Sequence, residues 1–475
     1  MPKAPDGSRE DALPLAAAVL CAAALRVAFY SGLTGYDEFA YARIAADISE
    51  GVFRLGDASG YYGFRYLVTY PAALFHKLLG QGVYAAAAWP FLCSLCNTVL
   101  AYFIGRELFD RRAGVISAFL QAFLPLSVVH GTMLYPEEIL TLWTGLAALL
   151  FLKGSKKGGS WGGAGLLALS GLAAGFGWHT RLNSAIMLLV FAAWLIKLRP
   201  RPAHLAVAAG FAAALVPDWI AGAALAGSPL FSLHSQLTKL AADTAVYPEG
   251  HLVYLRGLLG LDLYGLALFG VSFYLFAAAV IGFAMKKRLA QIWLPLAWFA
   301  VVFAYLEFGP ASLSPYKPVH KQLRFLSMAM FPGLAVAGAY LSELRRGLAW
   351  PVLGFALAAS FIGAREMSAY QTREAAPLRL AGDYLEKRAP AGVYADGAWA
   401  QFLGYSMRKP NKPYYHQRDK TDFLQPYNEA IKIKNLSGRC VIEAHPPGIM
   451  ALTAPSSNLV TAASIGGSAV IYCFK

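Results

Sequence analysis

The sequence predicts an all-α polytopic membrane protein that carries a small C-terminal soluble domain of mixed α/β structure. The chain is 57% hydrophobic and 14% charged, whereas soluble domains use roughly 25% charged residues. Long apolar segments recur through the first 365 residues. Beyond residue 366, charged and turn-forming residues are spread evenly and no further segment is long enough to cross a bilayer. These observations divide the chain into a transmembrane domain (1–365) and a soluble domain (366–475).

About eleven apolar segments approach the ~20 residues that a spanning helix needs. They lie near residues 12–30, 82–104, 113–131, 138–152, 161–178, 183–196, 204–226, 259–284, 291–308, 323–341 and 348–364. In the C-terminal part, a helical pattern at 377–388 precedes strand-like runs at 392–396, 438–444 and 467–474. Cys440 and Cys473 lie on two of these runs. An oxidising compartment would permit a disulfide between them, and the sequence leaves this open.

Every second connection between the apolar segments is short and basic. The residues concerned are Arg106, Arg111, Arg112, Lys153, Lys156, Lys157, Lys197, Arg199, Arg201, Lys286, Lys287, Arg288, Arg345 and Arg346. The positive-inside rule makes these connections cytoplasmic. The C-terminal domain is then extracytoplasmic, and the protein is a multi-pass protein of the inner or plasma membrane. The formal charge of +14 therefore sets topology and does not indicate nucleic-acid binding.

The unusual polar residues then fall on the outer face. They are Asp37 and Glu38 in the long loop 31–81, Glu137 and Glu138 at the start of an apolar segment, Arg181 in a turn, and His320, Lys321 and Arg324 before the tenth segment. Charged residues at this depth are costly and usually bind something or do chemistry. The head group of a lipid-phosphate-linked sugar lies at this depth of the membrane. Its transfer needs a carboxylate that accepts the proton of the incoming hydroxyl and cations that stabilise the departing phosphate.

Two motifs carry a resemblance to a known group of enzymes. The first outer loop begins Gly35-Tyr36-Asp37-Glu38 and resembles the first loop of the GT-C glycosyltransferases, which use polyprenyl-phosphate sugars. The run 320–325 (HKQLRF) is similar to the His-Lys-Glu-x-Arg-Phe motif of the mannosyltransferases that act on GPI-anchor and N-glycan precursors. Gly-Tyr replaces that family's His-Pro, and Gln322 replaces its Glu. Protein O-mannosyltransferases and lipid A aminoarabinose transferases share the first-loop acid.

The resemblance implies a GT-C fold and transfer of a hexose, with mannose a candidate, from a polyprenyl-phosphate donor to a glycan, lipid or protein hydroxyl. It implies an inverting mechanism, with Asp37 as the base or as the residue that positions the acceptor, and with Glu38 beside it as helper or structural partner. It implies donor-phosphate binding by Lys321, Arg324, His320 and Arg181. Glu137 and Glu138 would lie on the side of the acceptor or of a metal. No cofactor is required by the sequence, but a divalent cation, magnesium or manganese, fits such acids.

Simpler interpretations stay open for each of these residues. Acids at the start of a helix can cap it, and basic residues at helix ends can anchor to lipid head groups. Arg181 can pair with one of the nearby acids. For the whole chain, the alternative function is a transporter or flippase for a lipid-linked or glycan substrate. Coupled transporters place ionisable groups near the bilayer midplane, whereas these residues gather at the boundary. A non-catalytic scaffold would tolerate replacement of Asp37, Lys321 and Arg324.

Overall fold

The computed structural model describes most of the transmembrane domain and parts of the C-terminal region. The described residues are 8–55, 60–158, 160–246, 250–314, 316–388, 392–394, 405, 424–425, 439–444, 459–465 and 469–474. Their α-helices are α1 (Ser8–Ala28), α2 (Tyr36–Ser49), α3 (Tyr66–Leu79), α4 (Val83–Leu108), α5 (Arg111–Phe123), α6 (Pro125–His130), α7 (Pro136–Lys156), α8 (Trp161–Trp178), α9 (Ile186–Leu198), α10 (Leu205–Ala226), α11 (Phe231–Val246), α12 (Val253–Leu258), α13 (Leu263–Phe269), α14 (Ser272–Met285), α15 (Trp293–Phe308), α16 (Ser327–Glu343) and α17 (Arg346–Arg388).

Each predicted apolar segment coincides with one helix or with two consecutive helices. In the described part of the chain, five helices are long and apolar enough to cross a membrane, or six if the bent pair α13 and α14 counts as one span. Three further apolar helices are shorter. The predicted helical membrane fold class is therefore confirmed, and the number of eleven crossings stays a prediction.

Two of the predicted segments are interrupted, and their sequences explain why. Segment 113–131 breaks between α5 and α6, where Pro125 forces Leu124 out of helical geometry (φ −56°, ψ 116°). Segment 259–284 bends by 70° between α13 and α14. Gly270 lies in that bend with φ +55°, a conformation that costs glycine little.

The basic connections contact one another at one end of the helical domain. Lys156 forms an ion pair with Glu107 across two connections (2.7 Å). Arg112 donates to the Ser342 carbonyl at 2.8 Å, and Arg288 pairs with Glu343 at 2.8 Å. The connections predicted to share the cytoplasmic side thus lie together, which agrees with the alternating topology.

The first outer loop, predicted only as a polar loop, contains two helices. α2 and α3 pack together through buried apolar side chains, among them Phe39, Tyr41, Ile44 and Val68. The same cluster includes Ile139 near the start of α7. This packing holds α2, whose first turn carries Asp37, against the start of α7.

The C-terminal region begins with the end of α17, a 43-residue helix. The predicted domain boundary at 365/366 falls inside this helix, so no helix break marks it, and the division into two domains stays a prediction. The strands β3 (Gly392–Tyr394), β4 (Leu424–Gln425), β5 (Arg439–Ala444), β6 (Leu459–Ile465) and β7 (Ala469–Phe474) form one sheet in the order β4-β3-β5-β7-β6. Earlier in the chain, β1 (Pro310–Leu313) and β2 (Tyr316–Pro318) form an antiparallel hairpin.

The predicted C-terminal elements agree with those that are described. The helical pattern 377–388 is the end of α17, and the three strand-like runs correspond to β3, β5 and β7, apart from positions 395–396, 438 and 467–468, which lie outside the described residues. Strands β4 and β6 were not predicted. β5 pairs antiparallel with β7, with Cys440 opposite Cys473, and these two residues form a disulfide.

The C-terminal region also contacts the first outer loop. The Thr34 hydroxyl donates to the side-chain oxygen of Gln371 on α17 at 3.0 Å. The Tyr405 hydroxyl lies 3.0 Å from Nε2 of His76 on α3, and both groups are buried. The C-terminal region therefore packs on the two helices that hold Asp37 in place.

Candidate active site

Asp37 lies in the first turn of α2, after an extended Gly35 at the N-cap. One carboxylate oxygen, Oδ2, accepts a hydrogen bond from Arg324 Nη2 at 2.9 Å. The other oxygen, Oδ1, accepts from the Tyr62 hydroxyl at 2.5 Å. About a quarter of the Asp37 side chain (26%) is exposed, so the carboxylate is accessible from outside the protein.

These contacts decide the ionisation state of Asp37. Burial alone would raise the pKa of this carboxyl group, but the positive charge of Arg324 and the hydrogen bond from Tyr62 act in the opposite direction. Arg65 and Arg181 add to the lowering, and the net effect is a pKa below the ordinary value. Asp37 is therefore a carboxylate and can accept a proton.

Glu38 points to the other side of the same turn and is fully buried. Its Oε1 accepts from the backbone N–H of Gly35 at 3.1 Å and of Thr34 at 3.3 Å, an arrangement that caps the start of α2. Burial raises the pKa of Glu38. These contacts favour the structural interpretation of Glu38, and a catalytic role for it stays a prediction.

Glu137 holds two arginines next to Asp37. Its Oε1 lies 3.0 Å from Arg181 Nη1 and 3.3 Å from Arg324 Nε. The Arg324 guanidinium also stacks on the Tyr135 ring at 3.8 Å, and the Arg181 guanidinium stacks on the Phe325 ring at 3.5 Å. A carboxylate and an aromatic face thus fix the orientation of each guanidinium group.

Arg65 adds a third cation to this cluster. It donates to the Tyr41 hydroxyl, and its guanidinium carbon lies 5.5 Å from the Tyr41 ring centroid. It also stabilises the charge of Asp37 and destabilises that of Arg181. We call Asp37, Glu137, Arg65, Arg181 and Arg324 the arginine cluster. It unites residues from four separate parts of the chain, and the sequence analysis predicted functions for four of its five members.

Lys321 lies outside the arginine cluster. Its ammonium group is fully buried and pairs with Glu307, which is also fully buried. It donates as well to the Gly250 carbonyl at 3.0 Å. The other oxygen of Glu307 accepts from the backbone N–H of Tyr254 at 3.0 Å. In this structure Lys321 therefore stabilises the chain next to Arg324, and its predicted contact with a donor phosphate stays a prediction.

His320 and Glu138 also have contacts apart from the cluster. His320 Nε2 lies 2.9 Å from the side-chain nitrogen of Gln322. Glu138 points into the helical core, where its Oε2 accepts from Asn97 at 2.9 Å and from Ser127 at 3.0 Å. Ser127 in turn accepts from Arg26 at 2.8 Å. The adjacent acids Glu137 and Glu138 thus serve two different networks.

The acids predicted on the metal side do not fit a divalent cation. Glu137 is neutralised by two guanidinium groups, and Glu138 is directed towards Asn97 and Ser127. Among the described residues, no group of three or more His, Cys, Asp and Glu side chains could hold a metal ion.

Several residues of these networks were not predicted. Arg26 is an arginine inside an apolar helix and Glu307 an acid at the end of another, and such charges are a signal that sequence reasoning can use. Asp218 follows Pro217 inside the apolar helix α10, and the Tyr66 hydroxyl donates to it at 2.8 Å. Tyr62 and Tyr135 carry no signal, because aromatic residues are frequent throughout this chain.

Comparisons with solved structures place this fold. ArnT from Cupriavidus metallidurans in the apo state has a TM-score of 0.69 at 14% identity, and the match covers 97% of both chains. The same protein bound to undecaprenyl phosphate has a TM-score of 0.69 at 14% identity and covers 99% of this chain and 98% of that one. At this level of identity the likeness shows a shared fold. The predicted GT-C fold is thereby confirmed.

Two further comparisons agree with the GT-C fold. The oligosaccharyltransferase AglB from Archaeoglobus fulgidus, solved with an inhibitory peptide and a dolichol-phosphate, has a TM-score of 0.57 at 14% identity over 87% of this chain and 65% of its own. The family model for dolichyl-phosphate-mannose-protein mannosyltransferases matches residues 66–220. That range includes Glu137 and Arg181 but neither Asp37 nor Arg324. No curated protein matches the chain.

Proposed function

We propose that this protein is a membrane glycosyltransferase that moves a hexose from a polyprenyl-phosphate donor to an acceptor hydroxyl, with Asp37 as the base. The contact between Asp37 and Arg324 is the observation that carries the proposal. It joins an ionised carboxylate to a guanidinium suited to phosphate oxygens. The undecaprenyl phosphate bound to ArnT and the dolichol-phosphate bound to AglB support a donor of this chemical class.

Each member of the arginine cluster has a role in this reaction. Asp37 accepts the proton of the acceptor hydroxyl while the oxygen attacks the anomeric carbon. Arg324 and Arg181 stabilise the charge that develops on the leaving phosphate, and Glu137 positions both of them. Because one base suffices for direct displacement, the expected outcome is inversion at the anomeric carbon.

The reaction takes place on the extracytoplasmic side in this proposal. The arginine cluster lies at the end of the helical domain opposite the basic connections, and the positive-inside rule assigns those connections to the cytoplasm. The buried charges Arg26, Glu138 and Asp218 belong to internal hydrogen-bonded networks. The members of the arginine cluster thus lie together at one boundary of the helical domain, which favours a transferase over a transporter with a midplane site.

The test is an assay with the purified full-length protein in detergent. Radiolabelled polyprenyl-phosphate sugars, with mannose among them, are supplied one by one with extracted envelope lipids, glycans or peptides as acceptors. We expect one donor to label one acceptor class, and Asp37→Asn to abolish the labelling. Glu50→Gln is the matched control, because Glu50 is an exposed acid at the other end of α2. A wild-type protein that transfers no sugar from any of these donors would contradict the proposal.

A further inference from the structure

Arg324 is divided between two carboxylates. Its Nη2 donates to Asp37 Oδ2 at 2.9 Å, and its Nε lies 3.3 Å from Glu137 Oε1. One face of the guanidinium is covered by the Tyr135 ring at 3.8 Å. A phosphate that approaches the edge of the guanidinium facing Asp37 needs a hydrogen bond from Nη2. That nitrogen already donates to Asp37.

Asp37 and a phosphate offer Arg324 the same kind of hydrogen-bond acceptor. Both present oxygens that accept charge-assisted hydrogen bonds from a guanidinium fork. Only 14% of the Arg324 side chain is exposed, so solvent screens these interactions less than it would at an open surface. Two negative groups at one edge also repel each other. An ionised Asp37 should therefore weaken phosphate binding at this edge.

We infer that Asp37 and the leaving phosphate compete for Arg324. Proton transfer to Asp37 removes the charge that pairs with Arg324, so Arg324 can then bind the phosphate. This inference rests on the proposed transferase function. It assigns Asp37 a second role, since the same carboxylate that takes the proton also controls when the phosphate gains its cation.

The charges of the reaction balance in this scheme. The acceptor O–H bond breaks and its proton goes to the Asp37 carboxylate, while the acceptor oxygen bonds to the anomeric carbon. The bond from that carbon to the phosphate oxygen breaks, and its electron pair stays on the phosphate. The phosphate thus gains one negative charge as Asp37 loses one. The total charge facing Arg324 is unchanged, and Arg324 stabilises the leaving group when the charge appears.

Release of the product follows from the same competition. When the neutral Asp37 returns its proton to water, the carboxylate pairs with Arg324 again. This weakens the ion pair between Arg324 and the polyprenyl phosphate. The resting enzyme, with Asp37 ionised, should thus have a low affinity for its own lipid product.

The experiment measures binding of polyprenyl phosphate itself, without sugar, to the purified full-length protein in detergent. We expect Asp37→Asn, which mimics the neutral acid, to bind it about five- to tenfold more tightly than the wild type, as for the loss of one competing charge pair. The gain should disappear in the double variant Asp37→Asn/Arg324→Gln compared with Arg324→Gln alone. Glu50→Gln, which removes an acid at the C-terminal end of the same helix and outside the cluster, should bind like the wild type.

The possible outcomes separate this inference from the proposed function. If the wild type transfers sugar but Asp37→Asn binds the lipid phosphate no more tightly, the competition is refuted and the transferase stands. A gain that persists without Arg324 also refutes it, because the effect would then be general repulsion. If neither protein binds the lipid phosphate and the wild type transfers nothing, both proposals fail. Asp37→Ala replaces Asp37→Asn should the latter not yield folded protein.

Discussion

Arg324 and Asp37 are 287 positions apart in the sequence, and Arg324 Nη2 donates to Asp37 Oδ2 at 2.9 Å. Asp37 belongs to the first outer loop and Arg324 to the turn that precedes α16. The contact therefore joins these two parts of the chain. The base and the phosphate-binding cation of the proposed reaction are therefore direct neighbours.

Arg324→Lys tests whether the fork geometry of this cation matters. A lysine keeps the charge but lacks the planar group whose separate nitrogens contact Asp37 and Glu137. We expect a loss of about a hundredfold in kcat/KM for the lipid-linked donor, the effect of removing one group that stabilises developing charge. Steady-state kinetics with varied donor measure it. Activity within twofold of the wild type would show that any positive charge suffices at this position.

The adjacent acids Glu137 and Glu138 provide a matched pair. Glu137→Gln should release Arg181 and Arg324 and raise the KM for the donor about tenfold, because the pair would lose its common anchor. Glu138→Gln leaves the buried Arg26 without its nearby negative charge and should lower the free energy of unfolding by about 3 kcal/mol. The KM of the folded variant for the donor should equal that of the wild type. Kinetics and thermal unfolding in detergent are measured on both variants. The same loss of donor affinity in both would contradict the separation of the two networks.

The buried pair of Lys321 and Glu307 gives a prediction about stability. Lys321→Met should destabilise the protein by about 3–5 kcal/mol, because Glu307 would be left as an uncompensated buried charge. Adding Glu307→Leu should recover much of this loss. Thermal unfolding of the two variants in detergent measures it. If the double variant is stable and transfers sugar, Lys321 serves structure alone; if it is stable and inactive, the predicted contact with the donor phosphate gains support.

The pH dependence of the reaction depends on the groups that face Asp37. These are Tyr62, Arg65, Arg181 and Arg324, together with the neighbouring Glu38. The pKa of Asp37 lies below its ordinary value of about 3.9, so the carboxylate stays ionised throughout the range in which the protein can be assayed. We expect no acid limb from Asp37 above about pH 4.

Arg324→Gln should shift the ionisation of Asp37 to a higher pH. Removing the largest favourable charge leaves burial to dominate, and burial raises the pKa of Asp37. The residual kcat/KM should then fall at a higher pH than in the wild type. If the pH profile of kcat/KM for this variant falls at the same pH as that of the wild type, Arg324 does not control the ionisation of Asp37.

The sequence was sufficient for the fold class and for most of the charged residues of the site. Apolar length and the alternation of basic connections depend only on composition along the chain, and they predicted the helical membrane domain. Pairing partners depend on distances between remote segments. For this reason Lys321, expected at the donor phosphate, was not foreseen as the partner of Glu307, and the different directions of Glu137 and Glu138 could not be read from their adjacency.

The helices of the first outer loop show a second limit of the sequence. α2 has a possible N-terminal signal in Asp37 and Glu38, for which capping was left open as an alternative to function. α3 contains Pro71, and both helices lie in a region without a spanning apolar run. Their stability comes from packing on each other and on α7. Such tertiary stabilisation is invisible to local patterns.

The most direct test of the account is the rate of sugar transfer by Asp37→Asn at saturating donor, compared with the wild type and with Glu50→Gln. The account predicts that Asp37→Asn is monodisperse, still binds polyprenyl phosphate, and transfers at least about a hundredfold more slowly, since it lacks a base, while Glu50→Gln matches the wild type. Transfer by Asp37→Asn at the wild-type rate would contradict the assignment of Asp37 as the base.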